Sequence, residues 1–231
     1  MRCFLFFIMM MISFSSIAED VYPINYDSIL KSQVALQKDY DYEKGLYGYL
    51  ALYHTQEVTN ASGNEFSYRR LAKSRMSEFK EMIAHHNPNA SYFLEFSYEH
   101  GKYDFEREGF TFKLPQKNSN WKFYRKTLAP KFINRERVGF PSTYFIRFAS
   151  GEWKNSHFFS LSEEGAEILV KNAKRSWGRM SGRLIFNIVG FDGNVALIKP
   201  TEAHFMTNTR GVLPFFVYVY KLDKGVLWSG K

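Results

Sequence analysis

"RLIFNIVGFDGNVALIK", residues 183–199, is the stretch on which the fold turns. Two apolar runs, Arg183 to Phe191 and Val195 to Lys199, flank Asp192-Gly193-Asn194. Glycine reaches positive φ without steric cost, and Asp and Asn tolerate it, so the triplet predicts a β-hairpin. Two adjacent antiparallel strands therefore anchor a sheet. Working back, Ser160 and Glu163 have capping-box spacing, in which the serine oxygen takes an orphan amide and the glutamate reaches back to the cap. The helix they predict runs to about Ser176 and buries Ala166, Leu169, Val170, Ala173 and Trp177. Before it, "ASGEWKNS" turns the chain. Ser142 to Ala149 alternates with period two, setting Tyr144, Ile146 and Phe148 against Phe145 and Arg147. Ser91 to Tyr98 does the same with Tyr92, Leu94 and Phe96, and Glu99 to Lys102 reads as its terminal turn. Phe215 to Leu222 closes the sheet.

The other half has helical periodicity. Asp27 or Ser28 caps a helix to about Lys38, with Leu30 and Val34 inward. Tyr42, Leu46, Tyr49, Leu50 and Tyr53 recur at helical spacing, with Gly45 and Gly48 weakening that helix locally. "TNASGN" breaks the pattern. Ser62 and Glu65 form a capping box for a helix to about His85, with the stripe Tyr68, Ala72, Met76, Phe79 and Ile83. "NPN" at 87–89 stops it. Helices followed by strands on short turns predict an α+β domain: N-terminal helices packed against an antiparallel β-sheet, with one further helix inserted between strands. A single domain is expected over 19–231, helical over about 19–88 and sheet over about 89–231.

Residues 1–18 read as a secretory signal peptide. Arg2 is the positive n-region, Cys3 to Phe14 the apolar core, and Ser16 and Ala18 the small residues before a cleavage site. The apolar run is too short to span a bilayer, which takes roughly 20 residues, and no transmembrane segment is expected in the mature chain. The chain's single cysteine, Cys3, leaves with the signal. That removes disulfides, a thiol nucleophile and thiolate metal ligation from the mature protein. A periplasmic or secreted location follows, in a chain whose Phe, Lys and Asn content fits a bacterial envelope protein.

The charge is +8 over the whole chain and is unevenly placed. From Lys113 to Arg137 eight cations face one acid, Glu136, and Lys171 to Arg183 has five cations and no acid. Within the first stretch, "NWKFYRK" (120–126) interleaves aromatics and cations. Trp121, Lys122, Tyr124, Arg125 and Lys126, with Lys131 beyond, are the candidate binding residues. As a strand the segment puts Trp121, Phe123 and Arg125 on one face. Cations beside aromatics suit an anionic envelope lipid or glycan, or an acidic protein. Export argues against nucleic acid.

"GKYDFEREGFTF" (101–112) raises a different question, because Asp104, Glu106 and Glu108 crowd around Arg107. Tyr103 and Phe105 are odd-numbered, whereas Phe110 and Phe112 are even, so the register changes between them. Glu108-Gly109 is the natural place, as a turn or bulge with Gly109 at positive φ. Tyr103, Asp104, Phe105, Gly109 and Phe110 then form a structural motif. Its acids face solvent or pair with Arg107 or Lys102; the functional alternatives are a binding surface on the bulge and a glycosidase-like acid pair.

"NEFSYRRLAKSRMSEFK" (64–80), "GKYDFEREGFTF" (101–112), and a capped helix leading into "GRLIFNIVGF" (182–191) together resemble a family of bacterial exported domains of unknown function. The resemblance covers most of the mature chain, and "WGRMSGR" (177–183) departs furthest from its pattern. It implies an exported soluble domain and carries no activity with it.

Catalytic motifs are absent. There is no Gly-x-Ser-x-Gly elbow and no phosphate loop. His85 and His86 are adjacent, so they diverge on a helix. His54 and Glu57 share a face without a second histidine. His100, His157 and His204 converge only if the fold brings them together. No metal and no cofactor are expected, and no catalytic residue is assignable. The reading is an exported non-catalytic binding domain. The alternative is a periplasmic or secreted hydrolase whose site joins distant carboxylates and histidines.

Overall fold

A computed structural model describes residues 21–113, 121–126, 128, 138–149, 156–175, 180–206, 217–221 and 225–228. The signal peptide expected at 1–18, together with Lys131, Trp177 and the side chain of Ala173, lies outside the described residues.

The hairpin at 183–199 forms and is longer than its apolar runs. Strand β7 (Met180–Asp192) pairs antiparallel with β8 (Val195–Met206). Gly193 sits at φ 58° in the turn, the left-handed region the tight connection requires. A third long strand, β2 (Ser91–Asp104), pairs antiparallel with β7 on its other side. These three strands are the axis of the sheet, and each outer one is paired differently along its two halves. The start of β2 pairs with β1 (Val21–Pro23), and its end with β3 (Gly109–Lys113), which in turn pairs with β6 (Ser156–Ser160). The start of β8 pairs with β5 (Thr143–Phe148), which carries β4 (Trp121–Tyr124). Its end pairs with β9 (Val217–Lys221), followed by β10 (Gly225–Trp228).

The α+β class holds, but the sheet is mixed and not antiparallel throughout. β1 runs parallel to β2, and β5 runs parallel to β8. Both parallel partners are distant in sequence, so no hairpin connection dictates their direction. The turn expected at Glu99–Lys102 is also absent. The chain runs straight on to Asp104, with a register shift between His100 and Tyr103. Strands β6 and β10 add to the sheet where no strand was expected.

Five helices complete the described fold: α1 (Tyr26–Leu36), α2 (Tyr42–Tyr53), α3 (Thr55–Ala61), α4 (Glu65–Ala84) and, between β6 and β7, α5 (Glu163–Arg175). Their caps differ from the sequence expectation. Asn25 caps α1 in a reciprocal box with Ser28. Asn64, not Ser62, caps α4 by accepting from the Ser67 amide, because Thr55–Ala61 is itself helical and its final turn takes the Ser62 hydroxyl. At α5 the Gly165 amide donates to Ser162, not Ser160, which lies in β6. Asn and Ser both accept at N-caps, so a local pattern leaves the choice open within two or three residues. The glycines of α2 have a packing reason. A Cβ at Gly48 would collide with the Val138 carbonyl, and one at Gly45 with the Tyr40 hydroxyl.

The core lies between the helices and one face of the sheet. Ile29, Leu30 and Val34 of α1, Leu46, Tyr49 and Leu50 of α2, and Phe79 and Ile83 of α4 are buried. They belong to one cluster with Tyr92, Leu94 and Phe96 of β2, Leu184, Phe186 and Ile188 of β7, and Tyr144, Ile146 and Phe148 of β5. Tyr144 is fully buried against Tyr26, with its hydroxyl donating to Gln33 on α1. The opposite face of the sheet carries the charges. No helix among the described residues is long and apolar enough to cross a membrane.

Candidate functional site

The basic aromatic segment is an edge strand. β4 pairs only with β5 among the described residues. The alternation of its burial splits it as its sequence predicts: Trp121 and Phe123 turn toward the core, while Lys122 and Tyr124 are exposed. The Trp121 ring meets Phe148 edge-on at 5.9 Å. Lys122 lies 5.9 Å over the Phe145 ring, its cross-strand partner, and Tyr124 is 66% exposed. Lys126 is exposed just past the strand end. Arg125 also supports the segment: its guanidinium donates to the Phe140 carbonyl at 3.2 Å and its amide to Ser142. On the neighbouring strands the same outer face presents Phe145 and Arg147 of β5 and Lys199 of β8. Arg147 is paired with Asp192 at 2.7 Å. Lys122, Lys126 and Lys199 have no carboxylate in ion-pair range among the described residues. Of the candidate binding residues, the fold therefore brings Lys122, Tyr124 and Lys126 to one exposed edge and turns Trp121 and Arg125 into its supports. Lys131 lies outside the described residues.

The 101–112 motif forms the β2–β3 hairpin. Tyr103 faces Phe110 across the ladder, and Asp104 faces Gly109. The left-handed residue is Glu108 at φ 50°, not Gly109. Such a conformation costs a non-glycine residue about 1 kcal/mol. Contacts around it fix it in place: the Leu161 amide donates to the Glu108 carbonyl at 2.8 Å, and the Tyr103 hydroxyl donates to the Leu161 carbonyl at 2.8 Å. Asp104 acts inside the turn. One of its oxygens accepts from the amides of Glu106 and Arg107, at 3.1 and 3.0 Å. Arg107 does not pair with these acids but lies 3.7 Å over the Phe158 ring of β6.

This hairpin and α5 enclose a groove of about 470 Å³. Tyr103, Phe105, Phe110, Ala166 and Val170 line it, and Glu163, Glu167 and Lys171 complete the lining. Phe105 is 72% exposed and meets Tyr103 edge-on. A second groove, about 720 Å³, lies between α2 and α4, among Leu46, Tyr47, Tyr68, Ala72 and Met76, with Glu43, Lys44 and Lys73.

The densest titratable cluster is one that sequence spacing only hinted at. His54, at the α2–α3 junction, faces a carboxylate on each ring nitrogen: Glu57 Oε1 lies 3.0 Å from Nδ1, and Glu78 Oε1 3.1 Å from Nε2. The Tyr49 hydroxyl is 3.1 Å from Nε2 as well. Arg75 bridges both acids, at 2.9 Å to Glu57 and 2.8 Å to Glu78. The His54 and Arg75 hydrogen bonds hold the Glu57 carboxyl below its usual range. At Glu78 burial pushes upward, but hydrogen bonds from Tyr49 and Arg75 outweigh it and the net shift is also downward. Each charge in the cluster has an opposite charge beside it, and none of these residues lines either groove. The signal available in the sequence was the His54–Glu57 spacing; Glu78 and Arg75 arrive from another helix. Elsewhere His86 Nε2 lies 2.9 Å from the buried Ser32 hydroxyl, and His204 pairs with Glu202 at 2.7 Å. No group of histidines and carboxylates among the described residues is arranged to hold a metal ion.

No protein-family profile, no curated protein and no solved structure matches the chain.

Proposed function

We propose that this chain is an exported, non-catalytic binding domain of the bacterial envelope that docks on an anionic envelope surface through the β4 edge. The observation that supports it is the contrast in charge pairing. Among the described residues, Lys122 and Lys126 flank the exposed Tyr124 with no acid in ion-pair range, and Lys199 extends the same outer face. Cations with an amphipathic aromatic between them suit phosphate headgroups and the polar–apolar boundary beneath. Export through the signal at 1–18 delivers the surface to the envelope. The convergent carboxylates of the helical layer are both paired with Arg75, which favours binding over hydrolysis.

Residues 19–231 are sedimented with anionic and with neutral vesicles at low and high salt, beside K122Q/K126Q/K199Q. A lysine near an anionic membrane contributes about 1 kcal/mol, so the triple variant should lose roughly 100-fold in affinity. Salt-sensitive binding to the anionic vesicles alone, lost in the variant, is the expected result. Equal behaviour of parent and variant would sink the reading.

A further inference from the structure

The groove between the β2–β3 hairpin and α5 is the chemical complement of the β4 edge. Its aromatic wall ends in Phe105, one of the most exposed large apolar side chains described. Glu163 and Glu167, one turn apart on α5, flank it, and Glu106 and Glu108 are exposed at the hairpin tip. Among the described residues of the lining, Lys171 is the one cation. The β4 edge has the same design with the opposite sign: Tyr124 exposed between Lys122 and Lys126. The two surfaces are built on separate strand pairs, β4 on β5 and β3 between β2 and β6.

We propose that the groove receives the Trp121–Lys126 edge of a second copy of this chain, Tyr124 packing beside Phe105 and the two lysines pairing with Glu163 and Glu167. Charge complementarity identifies the occupant: in a chain of net charge +8, a carboxylate-rimmed aromatic groove selects a cationic aromatic segment, and the chain presents one. The contact joins unlike surfaces, so it is head-to-tail and propagates unless its rotation closes a ring. It shares the β4 edge with the proposed membrane contact but needs no lipid, so self-association and membrane docking compete for Lys122 and Lys126.

Sedimentation velocity without lipid tests it on residues 19–231, with circular dichroism confirming that each variant is folded. The parent chain should associate with rising concentration at about 50 mM salt and dissociate at about 500 mM, where screening shortens the reach of surface charges to a few ångströms. K122E/K126E and E163K/E167K should each be monomeric. Their equimolar mixture, and the fourfold variant combining both changes, should associate again because opposite charges face one another once more. A parent that stays monomeric at low salt, or association that persists in both reversed variants, would overturn the proposal. E163Q/E167Q should bind vesicles as the parent does, so loss of self-association and loss of membrane binding are read separately.

Discussion

The His54 cluster and the β4 edge are both rich in charge, yet they are organised in opposite ways. In the first, Glu57, Glu78, Arg75 and His54 converge at the meeting of α2, α3 and α4; Arg75 pairs with both carboxylates, and His54 lies within about 3 Å of each. In the second, Lys122 and Lys126 are exposed and, among the described residues, have no acid in ion-pair range. Convergent pairs hold elements of one molecule together. Unpaired like charges beside an exposed ring keep their interaction energy for something outside the molecule. The difference teaches that charge density alone does not mark a site; the state of pairing does.

The strongest way to break the comparison is to remove the ring on which the first cluster rests. Phe79 is 1% exposed and stacks on Tyr49 at 4.6 Å and 13°. Phe79→Ala should cost about 3–5 kcal/mol, read as a fall in the urea midpoint. A loss below about 1 kcal/mol would mean that the helical layer does not depend on that packing.

The next effect is pH dependence. Burial, helped by Lys31, holds the His86 imidazole below its ordinary value of 6.5. The unfolded chain therefore takes up that proton first, and stability should begin to fall as pH drops below 6.5. Glu57 and Glu78 are depressed below 4.5, so their contribution is complete above that value and is lost as pH falls through their folded-state values. The urea midpoint should decline in two stages on acidification. His86→Gln should remove the upper stage, and E57Q/E78Q should flatten the lower one. A profile unchanged in both variants would place the acid sensitivity elsewhere.

The smallest stability effect belongs to the β4 edge. K122Q/K126Q should change the unfolding free energy by less than about 0.5 kcal/mol, although it strips the surface of its charge. A larger loss would show that these lysines stabilise the fold, and the contrast between the two regions would narrow.

Local signals were legible where the partner was close in sequence. Asp192-Gly193-Asn194 specified its hairpin because a two-sided tight turn needs φ > 0 and glycine supplies it. The stripe ending in Phe79 and Ile83 marked the inward face of α4, and the alternating burial of Trp121–Tyr124 followed the alternation of its residues. The β2–β3 turn was legible as a place but not as a geometry. Glu108 holds the left-handed position there because Leu161 and Tyr103, from other elements, fix its carbonyl environment. Arg125 was legible as a cation beside aromatics but not as a donor to the Phe140 carbonyl, which another segment brings to it.

By itself the sequence determined the helical and strand periodicities, the β7–β8 hairpin and the concentration of positive charge around β4, since each follows from composition or from neighbours a few residues apart. Tertiary structure alone decided the parallel pairing of β5 with β8 and of β1 with β2, the meeting of His54 with Glu78 and Arg75, and the groove that Phe105 shares with Glu163 and Glu167. Those contacts join segments whose local propensities are satisfied in many arrangements, and burial of the shared apolar faces in one core selects among them.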